Sequence, residues 1–155
     1  MNAYKKLLKN TGIFAIANFG SKLISIFLVP FYTYVLSKEQ YGTIDMITNT
    51  ILLLLPIVSL SIFESTLRFA KKSEYDSKDI LSSSLLILLL GNLIFFALYP
   101  ILKKIDLFKE YLILFHLVLL CQGINTVVAQ FSNGIGKIKI FAFNGIINTL
   151  VTVLS

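Results

Sequence analysis

Residues 80–102 and 111–136 run without a single Asp, Glu, Lys or Arg. About 20 mostly apolar residues in a helix cross the ~30 Å hydrocarbon layer of a bilayer. Uncharged runs of this length constrain the chain more than any other feature. A soluble domain has about 25% charged residues with which to cover its surface. This chain has 14%, and 56% of its residues are apolar. It reads as an all-α membrane protein, an antiparallel bundle of transmembrane helices.

Four complete spans are predicted, over residues 12–36, 43–70, 80–102 and 111–136. A fifth, over 140–155, is truncated: at 1.5 Å per residue it reaches only ~24 Å and ends without a polar flank. The chain is therefore expected to be a fragment of a longer protein. Three lysines precede the first apolar run, as in a signal peptide. A signal peptide's apolar region is about 7–15 residues and closes on a small-residue cleavage site. This run is longer and has no such end, so a retained first helix is expected.

The connections 37–42, 71–79, 103–110 and 137–139 are short. Short loops make neighbouring helices antiparallel. None is long enough to fold separately, so residues 1–155 read as a single transmembrane domain. With the N-terminus in the cytoplasm, inner segments hold Lys5, Lys6, Lys9, Lys71, Lys72, Lys78, Lys137 and Lys139. Outer segments hold Lys38, Lys103, Lys104 and Lys109. The bias predicts a multi-pass protein of the cell inner (plasma) membrane with a cytoplasmic N-terminus. The net charge of +6 is carried in these flanks. That pattern suits phospholipid headgroups and argues against nucleic acid.

Polar groups inside the spans are the informative residues, because each costs desolvation unless it meets a partner or water. On a 100° wheel Thr11, Asn18, Ser21, Lys22, Ser25 and Tyr32 share one arc of the first helix. Lys22 sits near mid-depth. It either pairs with a buried carboxylate or lines a wet cavity. The second span has two polar patches: Asp45, Thr48 and Asn49, and then Ser61, Glu64, Ser65 and Arg68. Pro56 stands between them and can bend the helix. Glu64 and Arg68 are four residues apart and can pair on one helix surface. Arg68 is either a snorkelling cation with that partner or a cavity cation. Its planar fork suits phosphate oxygens, whereas lysine offers a point charge.

In the third and fourth spans Asn92, Gln122, Asn125 and Gln130, with small residues at 82–84, Gly91, Gly123 and Ala129, suit helix–helix packing. His116 is the one histidine and Cys121 the one cysteine. No metal site, cofactor motif or internal disulfide is expected. No loop is long enough for a soluble active site, and no catalytic residue is assigned.

Residues 28–42 read Leu-Val-Pro-Phe-Tyr-Thr-Tyr-Val-Leu-Ser-Lys-Glu-Gln-Tyr-Gly, and residues 65–70 read Ser-Thr-Leu-Arg-Phe-Ala. With Tyr41-Gly42 and Arg68-Phe69 as its most telling pairs, this stretch resembles polysaccharide-type flippases. These belong to the multidrug/oligosaccharidyl-lipid/polysaccharide exporter superfamily. The resemblance implies about 12 to 14 helices in two lobes that rock around a central cavity. The chain would then be a partial N-terminal lobe, completed by the remaining helices of the full-length transporter. It also implies a substrate, a polyprenyl-pyrophosphate-linked oligosaccharide moved between leaflets for surface polysaccharide. Lys22 and Arg68 are the expected cavity cations. Asn18, Ser25, Asp45, Asn49 and Glu64 are further polar candidates. A multidrug or ion antiporter of the same superfamily, using acidic cavity residues, is the nearest alternative. A membrane-embedded polysaccharide polymerase is another.

Overall fold

The computed structural model describes residues 3–72, 74–104, 111–137, 140–141 and 143–145. Six helices form among them: α1 (Ala3–Val35), α2 (Lys38–Val58), α3 (Ile62–Ala70), α4 (Ser77–Phe96), α5 (Tyr99–Leu102) and α6 (Leu112–Gly134). No strand forms among the described residues. By length and composition α2, α4 and α6 are each able to cross a membrane. This is an all-α, multi-pass membrane protein. Residues 140–141 and 143–145 are helical, and Ile140 and Phe141 both donate to the Lys137 carbonyl. The rest of the predicted fifth span, residues 146–155, lies outside the described residues.

The starts of α2 and α4 are set by capping rather than by the edges of the apolar runs. Expected over 12–36, the first helix begins at Ala3, because no breaker separates its lysine-rich start from the apolar run. Expected from residue 43, α2 begins at Lys38. There the Ser37 side chain accepts from the Gln40 N–H, and the Gln40 side chain accepts from the Ser37 N–H. This reciprocal pair satisfies two of the unpaired donors at a helix start. Asp76 caps α4 in the same sense, accepting from the Lys78 N–H at 3.0 Å.

The second span departs most from expectation. The reading over 43–70 is one helix bent at Pro56. The structure instead has two helices, and α2 runs through Pro56 to Val58. The chain then breaks at residues 59–61, with Leu60 and Ser61 both left-handed at φ 51° and 53°. The Ser61 N–H reaches back five residues to the Pro56 carbonyl at 2.9 Å. The cause lies on α4. A methyl group at Gly91 would overlap the Val58 carbonyl, so the end of α2 rests directly on the Gly91 backbone. Gly91 lies 14 residues into α4, ~21 Å along its axis, so the break falls well inside the bundle.

The best-packed unit is α3 between α4 and α6. Leu88, Leu119 and Val127 are fully buried, with Leu112, Phe115, Phe63, Val58, Leu55 and Ile51 around them. In lipid, helices associate through close packing and hydrogen bonds rather than by escaping water. Gly123 admits the Leu88 side chain, whose Cδ1 would lie 2.7 Å from an added Cβ. Gly134 lies against Ala70 and the Leu67 carbonyl of α3. Thr66 of α3 donates to the Ser84 hydroxyl of α4 at 2.7 Å, and Ser84 donates onward to the Ile80 carbonyl. The principal neighbour of α1 is α2, and among the described side chains none of the buried core residues belongs to α1.

Candidate functional site

The ionic candidates all lie outside the packed core. Lys22 is exposed on α1, Asp45 on α2, and Glu64 and Arg68 on α3. The α1 helix rests on α2, while α3 packs on α4 and α6, so the structure does not bring Lys22 and Arg68 onto one packed pair of helices. Among the described residues no ion pair joins Lys22 to a carboxylate, and none joins Glu64 to Arg68. The spacing of Glu64 and Arg68 permits a bridge that the side chains do not make. Each instead complements its end of the α3 dipole, the acid in the first turn and the base in the last. Asn18 and Ser25, with Ser21, belong to the α1 backbone, but their side chains lie outside the described set.

The first polar patch of α2 holds together. Asn49 donates to the Asp45 carboxylate at 3.1 Å, and both residues are exposed. Thr43, Thr48 and Thr50 each return their hydroxyl proton to a carbonyl four residues back, leaving oxygen lone pairs outward. The second patch lies beyond the break on a separate helix. Asp45 and Asn49 are thus carried by α2, and Glu64 and Arg68 by α3.

A shallow groove on α1, lined by Ala15, Ile16, Phe19, Gly20 and Leu23, is apolar. It suits acyl chains or another helix, not an anionic headgroup. No cluster of three or more His, Cys, Asp or Glu side chains among the described residues could hold a metal ion.

The packing candidates divide. Asn125 accepts from Asn144 at 2.6 Å, a bond between α6 and the helical start of the following segment. Asn92 is buried but donates only to the Leu88 carbonyl of its own helix. Sequence reasoning overlooked Thr66 and Ser59, both buried in the core, and Gly134 as a contact point. The signal available for Gly134 was its position two residues before the end of an apolar run.

His116 is 8% exposed and sits among Phe95, Phe96, Tyr99 and Phe115, with ring centroids 5.2–6.0 Å away. Its Nδ1 donates to the Leu112 carbonyl at 2.8 Å, which leaves Nε2 an acceptor with no partner among the described residues. Such an orphan acceptor costs about 1–3 kcal/mol. His116→Phe removes the orphan and keeps the ring contacts. It should leave thermal stability in detergent unchanged or raised by up to about 1 kcal/mol. A loss above that size would show that the imidazole has a polar role.

The fold and its polar faces define a multi-pass membrane protein whose ionic side chains point away from its own core. The sequence model of the family described as "Polysaccharide biosynthesis protein" matches residues 7–155. The chain belongs to this family and has a role in polysaccharide biosynthesis. No curated protein and no solved structure matches it.

Proposed function

We propose that this chain is part of a flippase that moves polyprenyl-pyrophosphate-linked oligosaccharides across the cytoplasmic membrane. The observation that carries the reading is the state of its two central cations. Lys22 and Arg68 are embedded in apolar helices, are exposed, and have no carboxylate partner in the described chain. An unpaired cation in a span is stable only against water or an anion. A diphosphate headgroup supplies the anion and a hydrated transport cavity supplies the water. The family's place in polysaccharide biosynthesis supplies the reason for such a substrate.

In this reading Arg68 offers its guanidinium fork to phosphate oxygens and Lys22 adds a second positive charge. The sugar occupies the wet cavity, bordered by the Asp45–Asn49 pair, and the polyprenyl tail stays in lipid. No covalent step is required, so the protein acts as a transporter and not as an enzyme. The cytoplasmic N-terminus follows from the lysine bias.

The test is headgroup-dependent translocation in proteoliposomes containing the protein. A fluorescent polyprenyl-diphosphate-linked oligosaccharide should become accessible on the far leaflet faster than in empty vesicles. The same lipid with a neutral link in place of the diphosphate should move at least about tenfold more slowly, one charged contact's worth of affinity. Equal rates for both lipids would defeat the headgroup assignment. Transport of a cationic amphipath instead would favour the antiporter reading.

A further inference from the structure

The break between α2 and α3 has two sides of unequal firmness. On one side, α3 is fixed to α4 by the buried Thr66–Ser84 bond and to α6 by the Gly134–Ala70 contact. On the other side, α1 and α2 form a hairpin closed by the Ser37–Gln40 reciprocal cap. That hairpin is held to the rest by the last turns of α2, where Ile51, Leu55 and Val58 are buried. Ile47 and Leu54 of α2 are partly buried against the same core, and the described side chains of α1 add no buried residue to it.

The linking residues are not suited to their backbone. Leucine and serine both carry a Cβ that disfavours the left-handed region, and here two such residues stand in succession. Ser59 is fully buried and closes the end of α2, whereas Leu60 is 79% exposed and Ser61 is exposed as well. The Ser61 side chain makes no cap on α3, although Ser61 and Glu64 have the spacing of a capping box. Strained backbone persists where its surroundings impose it. Here the imposing contact is Val58 seated on Gly91. If Val58 lifts off Gly91, Leu60 and Ser61 are free to take the right-handed conformation their side chains prefer. The two helices then become one.

We infer that residues 59–61 form a swivel with two settings, a broken helix seated on Gly91 and a continuous helix released from it. The α1–α2 hairpin turns on it as one arm against the α3–α4–α6 block. Hinges of this kind concentrate the φ/ψ change in a few residues. The device would carry Asp45, Asn49 and Lys22 relative to Arg68, whatever the substrate. It therefore stands apart from the flippase reading.

The experiment uses Cys121, the exposed cysteine of α6, as one native labelling site. A second label at Met46→Cys, exposed on α2, reports the arm. A label at Leu86→Cys, exposed on α4, reports the block. Spin–spin distances are measured in nanodiscs of phosphatidylethanolamine and phosphatidylglycerol. The block pair should give one narrow distance and the arm pair two. Ser61→Gly, which removes the left-handed penalty, should raise the broken population about tenfold relative to the continuous one. Gly91→Ala, which unseats Val58, should shift the populations the opposite way. If Gly91→Ala fails to fold, the arm pair and Ser61→Gly decide. A single narrow arm distance that Ser61→Gly leaves unchanged would overturn the swivel.

Discussion

Gly134→Ala is expected to destabilise the protein by about 1–3 kcal/mol, the usual cost of forcing atoms into a packed contact. The added methyl overlaps the Ala70 Cβ and comes within 3.2 Å of the Leu67 carbonyl oxygen. Both belong to α3, which is held between two helices and cannot give way without dragging the Thr66–Ser84 bond with it. Gly123→Ala meets only Leu88 side-chain atoms and no backbone, so its cost should be smaller even though Leu88 is fully buried. The decisive comparison is the exchange of sides. Ala70→Gly in the Gly134→Ala background removes the methyl that collides and should recover most of the loss. The coupling energy should fall in the 0.5–3 kcal/mol range of residues in contact. Reversible unfolding in mixed micelles measures all four corners of the cycle. A double variant no better than the single one would mean that the glycine serves some need other than closeness to α3.

Arg68→Ala is expected to slow lipid-linked oligosaccharide translocation by tenfold or more, while membrane insertion and expression remain normal. Hydrogen bonds to charged groups are worth about 1.5–3 kcal/mol, and each 1.4 kcal/mol is a factor of about ten. The exposed guanidinium makes no ion pair in the described chain, so its removal leaves no carboxylate stranded. A fall in transport would therefore report the substrate and not the fold. Arg68→Lys keeps the charge but loses the fork, and an intermediate rate would separate the two contributions. Lys22→Ala should also lower the rate, and the double variant should be the slowest. Wild-type rates in both single variants would remove the two residues from the site.

The all-α, membrane-spanning class was legible because the energetics behind it are crude. A run such as 80–102 is comfortable only in hydrocarbon, and the structure has all of α5 and all but the first three residues of α4 within it. The helix ends were harder to place, because they depend on single side chains such as Ser37 and Asp76 rather than on mean hydropathy. The break at 59–61 was not legible at all. Its residues carry no glycine to mark a left-handed turn, and Pro56 drew attention one turn too early. The cause is Gly91, about 30 residues away, and only tertiary packing reveals it. The same holds for the candidate site. A helical wheel puts Lys22 on one face of one helix, but what that face meets is decided by other helices. The missing Glu64–Arg68 bridge makes the point on a smaller scale. Four-residue spacing permits a contact, and the side chains are free to decline it.

The connection between the first two helices is only Leu36 and Ser37. A link that short leaves α1 no route away from α2, since two residues reach at most about 7 Å. During synthesis α1 leaves the ribosome before α2, and none of its described side chains belongs to the core. Its packing against this chain must then wait until α2 has been made and folds back beside it. The two helices should therefore assemble as a pair, and a lesion in the Ser37 turn would be felt as a failure of biogenesis before it was felt as a failure of activity.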